Sequence, residues 1–460
     1  MASNLDLSRA QPRGTNVSRD AQGSAFRSVE LGLLALSTLI VCSMYVLATL
    51  GAKGRMPDRL WLFLTVVVAI SLAMHVAITK FAPRSSQILL PLATLLNGIG
   101  YVEISRWNPV HAEYQALWFF VSALGVVAFL AFVRRIRDLD RYRYLTLLSA
   151  VALMLVPLVP GIGESVNGAR LWIKLGPISF QPVEIAKILL ALFFASYLSS
   201  NREMLTVPTN HLGSRTWVSP RALLPLLGAW IFALLVLGVE NDIGFAMLLF
   251  ALFISMLWLA TGKRSYIIMG VTLFVGGGAI ASQLFHQIHS RISIWFDPWN
   301  AVNFAGAGRQ LAMGWFSLAA GGITGTGLGL GQSGQSVTFI TSDMIFAAIG
   351  EELGFIGIIV VLCAFAMFIG EGFRIAQRSN SDYVRLAAAG LTAIVGFQAF
   401  FIMAGVLRIL PFTGITLPFM AYGGSSLVSN YLIVAILLRI SDENAREVQG
   451  GEVRAAVFKR

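Results

Sequence analysis

One aspartate, Asp343, stands where a long polar stretch gives way to an apolar one. A carboxylate at the rim of an aqueous cavity can act as a general base and take the proton of a hydroxyl nucleophile. The same position suits a helix N-cap, because Ser342 or Asp343 precedes the short apolar stretch Ile345–Gly350. The residue types alone leave a catalytic and a capping role open.

A second chemical signal is a pair of opposite charges inside an apolar segment. Glu184 and Lys187 are three residues apart and therefore share one helix face, and the preceding Pro182 suits a first helical turn. Charges are costly in lipid, so such a pair indicates either a functional cavity or an internal ion pair. Asp242, near the end of another apolar segment, is either a functional carboxylate or a solvated interfacial one, and the second is expected.

A run of glycines lies between Gly321 and Gly331. It indicates either a tightly turning loop or a close backbone approach to a phosphate or sugar. No β-α-β unit surrounds it, so it is not a dinucleotide fingerprint. His286 and His289 are three residues apart without an evident third ligand, which argues against a metal site.

The composition determines which elements must position these residues. Of the 460 residues, 56% are hydrophobic and 12% charged, and the mean hydropathy is +0.74, whereas soluble domains carry about 25% charged residues. The net charge of +11 does not indicate a nucleic-acid partner, because the basic residues form short runs between apolar segments. The sequence therefore predicts an all-α polytopic integral membrane protein.

Apolar runs of about 20 residues, the length that spans a bilayer, recur along the chain. About twelve transmembrane helices are predicted, at 31–50, 60–79, 87–105, 116–133, 144–159, 183–199, 223–239, 243–261, 266–285, 355–373, 386–407 and 426–440. Most lysines and arginines then fall on one side if both termini are cytoplasmic, as the positive-inside rule requires. One long extracytoplasmic loop, 286–354, is rich in aromatic residues, and Gln310–Ala320 is predicted to be an interfacial helix within it.

Three sequence blocks carry a family resemblance. They are Asn167–Lys187, Ser342–Gly354 and Leu410–Ser426. In this order they resemble the signatures of the shape, elongation, division and sporulation (SEDS) family, which includes RodA and FtsW. Ser342, Met344 and Ala421 depart mildly from the family pattern and leave Asp343 intact.

The resemblance covers roughly 87–441, which implies a ten-helix membrane domain containing the loop 286–354. Residues 28–86 are then two extra N-terminal helices, an addition that resembles RodA-like proteins of actinobacteria. Residues 1–27 are interpreted as a disordered cytoplasmic tail and 442–460 as a second cytoplasmic tail.

The resemblance implies a reaction on the outer face of the bacterial cytoplasmic membrane. Family members polymerise lipid II, the undecaprenyl-pyrophosphate-linked disaccharide pentapeptide, into β-1,4 glycan strands for cell elongation, shape or division. Asp343 matches the family's essential aspartate and is expected to be the catalytic base. A lipid II flippase and a non-catalytic scaffold of the cell-wall synthesis complex are the alternatives.

The resemblance also suggests which residues bind the substrate. Arg170, Lys174 and Lys187 are candidates for the pyrophosphate or the cavity, and Trp172 for a sugar face. The further substrate-binding candidates are Glu184, Gln310, Gly423, Gly424 and Ser425. The expected partners are a class B penicillin-binding protein transpeptidase and membrane lipid. No cofactor is certain, and a divalent cation, Mg²⁺ or Mn²⁺, is left open.

Overall fold

The chain folds almost entirely into helices. The computed structural model describes residues 27–58, 60–166, 169–176, 178–206, 210–212, 215–217, 220–240 and 242–458. The α-helices are α1 (Ser28–Lys53), α2 (Leu60–Phe81), α3 (Leu89–Trp107), α4 (Pro109–Phe132), α5 (Arg143–Leu155), α6 (Val183–Ser200), α7 (Arg202–Thr206), α8 (Pro220–Glu240), α9 (Ile243–Thr261), α10 (Arg264–Leu284), α11 (His286–Phe296), α12 (Ala301–Phe304), α13 (Ala307–Gly321), α14 (Ser333–Ser336), α15 (Ile345–Gln377), α16 (Asp382–Val406) and α17 (Gly424–Phe458). Short 3-10 helices cover Ile136–Tyr142 and Val156–Leu158.

The helices follow from the apolar runs, because a helix satisfies its backbone hydrogen bonds internally and needs no water in the bilayer. Among the described residues, ten helices are long and apolar enough to cross a membrane. The chain is thus a multi-pass membrane protein. The other two predicted spans also form helices, α3 and α8, but they are not among the ten. The count of twelve stays a prediction.

The predicted long loop needs correction. Helices α11 to α14 occupy much of it, and the chain from Ile345 onward already belongs to α15, which has a non-helical residue at Gly354. The segment between the apolar helices therefore ends near residue 344, not 354. The helix expected at Gln310–Ala320 is present as α13. Its Trp315 indole N–H donates to the carbonyl oxygen of Val406 at 2.7 Å, so that ring packs within the protein.

The predicted C-terminal tail also differs, because α17 continues past residue 441 as far as Phe458. Asp442, inside this helix, is buried, and its carboxylate accepts the backbone N–H of Arg84 at 2.9 Å. The segment that follows residue 441 therefore starts as part of the folded domain.

Three helices form the centre of the bundle. Across the apolar stretch of each, 78% of α6 and 83% of both α16 and α17 is buried inside the protein. Helix α6 packs against α5 and α16, and α17 packs against α4. The helix that carries Glu184 and Lys187 is therefore surrounded by protein.

The two N-terminal helices pack on the bundle and are joined to each other by buried polar groups. Helix α1 packs on α3, and α2 packs on α4. Arg27 and Glu30 form a buried ion pair, and the His75 imidazole lies 2.7 Å from the Glu30 carboxylate. Arg27 also donates to the carbonyl oxygen of Ala82 at 3.1 Å. A charge buried in an apolar bundle needs such partners, and these join α1, α2 and the segment after α2.

Five short strands lie outside the helices. Strands β1 (Gly163–Val166), β2 (Ala169–Leu175) and β3 (Ile178–Phe180) form an antiparallel sheet in the order β1-β2-β3. Strands β4 (Asn210–Leu212) and β5 (Arg215–Trp217) form a separate antiparallel pair. The first sheet directly precedes α6 and holds the block that contains Trp172.

The glycine run packs against the end of α1. Gly329 has a φ of +82°, and a Cβ at this residue would lie 2.1 Å from the carbonyl oxygen of Ala48.

We expect Gly329→Ala to lower the free energy of unfolding by at least about 1–2 kcal/mol, the cost of a left-handed residue that carries a Cβ. Thermal unfolding of the purified variants measures this. Gly276→Ala in α10 is the control, because no atom lies within 4 Å of its Cβ position. Equal unfolding temperatures for both variants would contradict the packing.

Candidate active site

Asp343 lies in the turn that leads into α15. The N-cap of that helix is Met344, and no side chain caps it, so the capping role considered for Ser342 and Asp343 is not observed. Asp343 is half-buried and retains exposed surface. A carboxylate that is not used by the helix end remains available for a ligand.

A guanidinium group faces this carboxylate. A Cβ placed on Gly414 would lie 3.7 Å from Nη1 of Arg291 and 3.9 Å from Oδ2 of Asp343, so both side chains border the same glycine. The Arg291 Nη1 group donates to the carbonyl oxygen of Phe412 at 2.6 Å. The fold thereby brings together α11, the turn before α15 and the C-terminal sequence block.

Burial and charge act in opposite directions on this aspartate. The protein packed around the carboxyl group raises the pKa of Asp343 to about 7, because burial disfavours the charged form. The positive charge of Arg291 and a hydrogen bond with Ser342 oppose this rise in pKa. A carboxyl group with a pKa near neutrality suits a general base at physiological pH.

Arg291 is held in place from two directions. On its own helix, the backbone carbonyls of Trp295 and Phe296 accept hydrogen bonds from Arg408 at 2.8 and 2.7 Å, which fastens α11 to the segment after α16. Asp242 faces Arg291 from the start of α9 and is buried. Burial raises the pKa of Asp242 to about 6, and Arg291 counteracts that rise. The prediction that Asp242 is a solvated carboxylate is therefore wrong.

The Glu184–Lys187 pair lies deeper in the bundle. The Lys187 Nζ is 2.5 Å from Glu184 Oε2, and both side chains are almost completely buried. Lys187 also donates to Gln398 Oε1 at 2.9 Å, and the Ser429 hydroxyl donates to Glu184 at 2.6 Å. The charge of Glu184 acts on Asp242, which in turn faces Arg291.

The partners of Lys187 bear on its predicted role. Its ammonium group has no exposed surface and already contacts Glu184 and Gln398. A pyrophosphate would have to displace both partners in the interior of the protein. The structure thus gives Lys187 an internal role, and the pyrophosphate role has no support from its position.

The glycine run is held by two glutamates that follow Asp343. The N–H of Gly329 donates to Glu352 at 2.8 Å, and the N–H of Ser333 donates to Glu351 at 2.9 Å. Arg106 forms an ion pair with Glu352. These backbone N–H groups are therefore occupied by carboxylates of the protein, which favours the turning-loop interpretation over a phosphate cradle.

Two of the C-terminal candidates are internal. Ser425 is buried, and its hydroxyl oxygen accepts the backbone N–H of Gln181 at 2.8 Å, which connects α17 to the residue before Pro182. Gly424 is buried beside the indole of Trp118. Gly423 is half-buried. Ser425 and Gly424 thus position the start of α17, while substrate contact at Gly423 stays a prediction.

Three of the predicted substrate-binding residues lie on β2, in the sheet that precedes α6. Lys174 is exposed and pairs with Glu164 at 3.4 Å across the sheet. Within the described residues, no hydrogen bond or ion pair joins Arg170, Trp172 or Lys174 to Asp343. Gln310 in α13 is half-buried, and its buried Nε2 has no hydrogen-bond partner in the described part of the chain.

Sequence reasoning missed two members of the site. Arg291 is one of many basic residues in the chain, and its only sequence signal is its place in the aromatic-rich segment. Gln398 lies within the apolar run 386–407, and an amide in such a run is an unusual residue that is itself a signal in the sequence. Among the described residues, no three His, Cys, Asp or Glu side chains form a metal-binding group. The role of Mg²⁺ or Mn²⁺ stays a prediction.

Residues 102–446 match the family described as cell cycle protein, which groups FtsW, RodA and SpoVE. The chain belongs to this FtsW/RodA family. It is 37% identical over 426 residues to the peptidoglycan glycosyltransferase RodA of Mycobacterium tuberculosis H37Rv, covering 90% of each protein. It is also 30% identical over 378 residues to the stage V sporulation protein E of Bacillus subtilis, covering 78% of this chain and 97% of that one.

Solved structures share the fold of this FtsW/RodA chain. A chain of a peptidoglycan synthase complex, described as coordinating polymerization and crosslinking, superimposes with a TM-score of 0.65 at 24% identity, covering 78% of this chain and 98% of that one. The rod-shape-determining protein RodA of Thermus thermophilus superimposes with a TM-score of 0.54 at 23% identity. The match covers 78% of this chain and 96% of that one.

The buried ion pair yields a stability prediction. We expect Lys187→Ala to destabilise the protein by about 3–5 kcal/mol, because Glu184 is left as an uncompensated buried charge. The double variant Glu184→Gln with Lys187→Met removes both charges and should recover much of that loss. Thermal unfolding of the three purified proteins in one detergent measures the difference. A double variant less stable than Lys187→Ala would contradict the pairing.

Proposed function

We propose that this FtsW/RodA chain is a peptidoglycan glycosyltransferase that polymerises lipid II, with Asp343 as its general base. The observation that carries the proposal is the half-buried Asp343 beside Arg291, in a family whose curated members include peptidoglycan glycosyltransferases. The sequence block around Asp343 and the C-terminal block that contains Gly414 meet at this point. A half-buried carboxylate with a pKa near 7 is suited to removing a proton from a sugar hydroxyl.

In the proposed reaction, the C4 hydroxyl oxygen of one sugar attacks the anomeric carbon of the other. The new bond is a β-1,4 glycosidic C–O bond, and the bond from the anomeric carbon to the lipid pyrophosphate breaks with inversion. Asp343 accepts the hydroxyl proton, and the pyrophosphate leaves with the bonding electron pair. Arg291 keeps Asp343 partly ionised at neutral pH, because its positive charge lowers the pKa that burial has raised.

The leaving pyrophosphate needs positive charge or hydrogen-bond donors. Lys187 is enclosed by its partners, so cations nearer the surface are better suited to this role. Arg170 and Lys174 are the proposed candidates, and an arginine fork can bind two phosphate oxygens at once. Gln310 is proposed to contact the sugars through its unpaired Nε2 group.

The first functional prediction concerns Asp343→Asn. We expect the variant to lose about 10²- to 10⁴-fold in polymerisation rate, because an amide cannot accept the proton. Purified protein with labelled lipid II in detergent, followed by separation of the glycan chains, measures this. The control is Asp297→Asn, since the amide oxygen can still accept the N–H groups that Asp297 accepts from Trp299 and Asn300.

The same assay tests the alternatives. Glycan strands made in detergent by the wild type and not by Asp343→Asn support the proposal. A protein that transfers lipid II across vesicle bilayers without forming polymer would be a flippase. A protein that does neither would be a scaffold. Near wild-type polymer from Asp343→Asn would overturn the base assignment while leaving the enzyme class intact.

The pH dependence gives a second functional prediction. Asp343 must be ionised to act as a base, so the rate should rise with pH through about 7 and level off above it. Arg291→Gln removes the positive charge that lowers the pKa of Asp343, so its rising limb should move to higher pH. Initial rates between pH 5.5 and 9, in steps of about half a unit, resolve such a shift. The control is Arg309→Gln in α13, an exposed arginine. Coincident profiles would show that Arg291 does not tune Asp343.

The cellular setting is part of the proposal. The positive-inside bias supports an orientation in the bacterial cytoplasmic membrane with both termini in the cytoplasm. A class B penicillin-binding protein that cross-links the new glycan is the proposed partner, because a solved relative is a chain of a complex described as coordinating polymerization and crosslinking. Whether the chain serves elongation or division is tested by depleting it and recording cell shape.

A further inference from the structure

A cavity of about 590 Å³ lies between the two N-terminal helices α1 and α2 and the helices α3 and α4. All of its lining residues lie between Ser37 and Phe119, so it is separate from Asp343 and Arg291. Its volume is in the range of small-molecule sites, about 300–1,000 Å³. The cavity exists because α1 and α2 stand beside the bundle and leave a space in front of α3 and α4.

The wall of this cavity contains an amide without a partner. Gln115 in α4 is 1% exposed, and neither its Nε2 nor its Oε1 has a hydrogen-bond partner in the described part of the chain. Asn97 in α3 lines the same cavity and is 5% exposed, but its side chain lies beside the Tyr431 hydroxyl of α17. An unpaired buried amide is costly, and lipid chains offer it no hydrogen bond. The Gln115 side chain therefore indicates a ligand with polar atoms.

The cavity is long and has charges at one end. Lys53, Arg55 and Asp58 line it where the exposed connection between α1 and α2 closes it. Ser37, at the other end, precedes Lys53 by roughly 24 Å along α1 at the rise of an α-helix. Apolar side chains line the space between these ends, among them Val41 and Phe63. The cavity thus has charged residues at one end, the buried Gln115 amide in its wall and apolar side chains along its length. A lipid has the same sequence of groups, from its charged head through its esters to its acyl chain.

The positive charges of Lys53 and Arg55 at this end of the cavity favour a lipid head group that carries a negative charge. Lys53 makes no ion pair with any described residue, and Arg55 pairs with Asp58 at 3.3 Å while both side chains are mostly exposed. Exposed pairs are weak, so the Arg55 guanidinium is free to bind an anion. Arg106 also lines the cavity but is paired with Glu352. Glu113, an exposed residue near the start of α4, lines the same end of the cavity, so the anionic group is expected beside Lys53 on the α1 side and away from Glu113.

We propose that this cavity binds the phosphate and one acyl chain of a diacyl phospholipid, whose second chain stays in the bilayer. Its phosphate lies beside Lys53 and Arg55, an ester carbonyl accepts a hydrogen bond from the Gln115 amide, and one acyl chain follows α1 towards Ser37. The lipid fills the space that the two N-terminal helices form with the bundle. Its binding is independent of polymerisation, so it stands or falls separately from the role of Asp343.

Photolabelling tests the proposal on the full-length protein. The protein is placed in nanodiscs that contain a phosphatidylglycerol with a diazirine in its acyl chain, and the labelled residues are mapped by mass spectrometry. We expect labels on the lining residues of α1 to α4, and a several-fold loss of them in the variant Lys53→Gln with Arg55→Gln. Lys80→Gln, at the opposite end of α2, is the matched control and should keep the labels. Labels spread evenly over the bundle in all proteins would overturn the proposal.

Native mass spectrometry distinguishes the source of the phosphate. The wild type should retain one phospholipid more than the Lys53→Gln, Arg55→Gln variant, and Gln115→Leu should also lose it. The test uses phosphatidylglycerol, phosphatidylethanolamine and a polyprenyl phosphate in turn. Retention of either diacyl lipid supports the proposal, whereas binding of the polyprenyl phosphate alone would overturn it. If Gln115→Leu does not fold, as judged by thermal unfolding, the charge variant decides the result.

Discussion

A charged lysine enclosed by protein is the constraint on which the rest of the structure depends. Lys187 has no exposed surface, and its charge is compensated by Glu184 on the same helix. Gln398 and Ser429 complete the network from α16 and α17. Because an unpaired charge in such an interior would be strongly destabilising, the three central helices are fixed relative to one another. The network supplies a rigid frame at the centre of the bundle.

The candidate site is built outward from this frame. Gln398 Nε2 donates to the carbonyl oxygen of Thr416 at 3.0 Å, which holds the C-terminal block two residues beyond Gly414. That block supplies Phe412, whose carbonyl oxygen binds Arg291. Acidic and basic groups then alternate through Asp242 and Arg291 to Asp343, each acting on the next. The buried charges therefore position the groups nearer the surface, and only the latter need to meet a substrate.

A second set of polar contacts, made by Glu351 and Glu352, fixes the chain that follows Asp343. Glu352 accepts the backbone N–H of Gly329 in the glycine run, Glu351 accepts that of Ser333 just after the run, and Arg106 pairs Glu352 with α3. The run in turn packs against the end of α1 at Ala48. The first turns of α15 are thereby tied to the N-terminal helices. This arrangement explains why glycine is required where the loop crosses α1, because a side chain would displace the backbone of one or the other.

The sequence by itself determined the membrane class, the helices and the two strongest chemical signals, Asp343 and the Glu184–Lys187 pair. These depend on local properties, since apolar runs specify helices in a bilayer and a spacing of three residues puts two side chains on one helix face. Only the tertiary structure decided that Arg291 faces Asp343 and that Ser425 is buried. These contacts join segments far apart in the chain, and no local pattern of residues encodes which distant helix ends will meet.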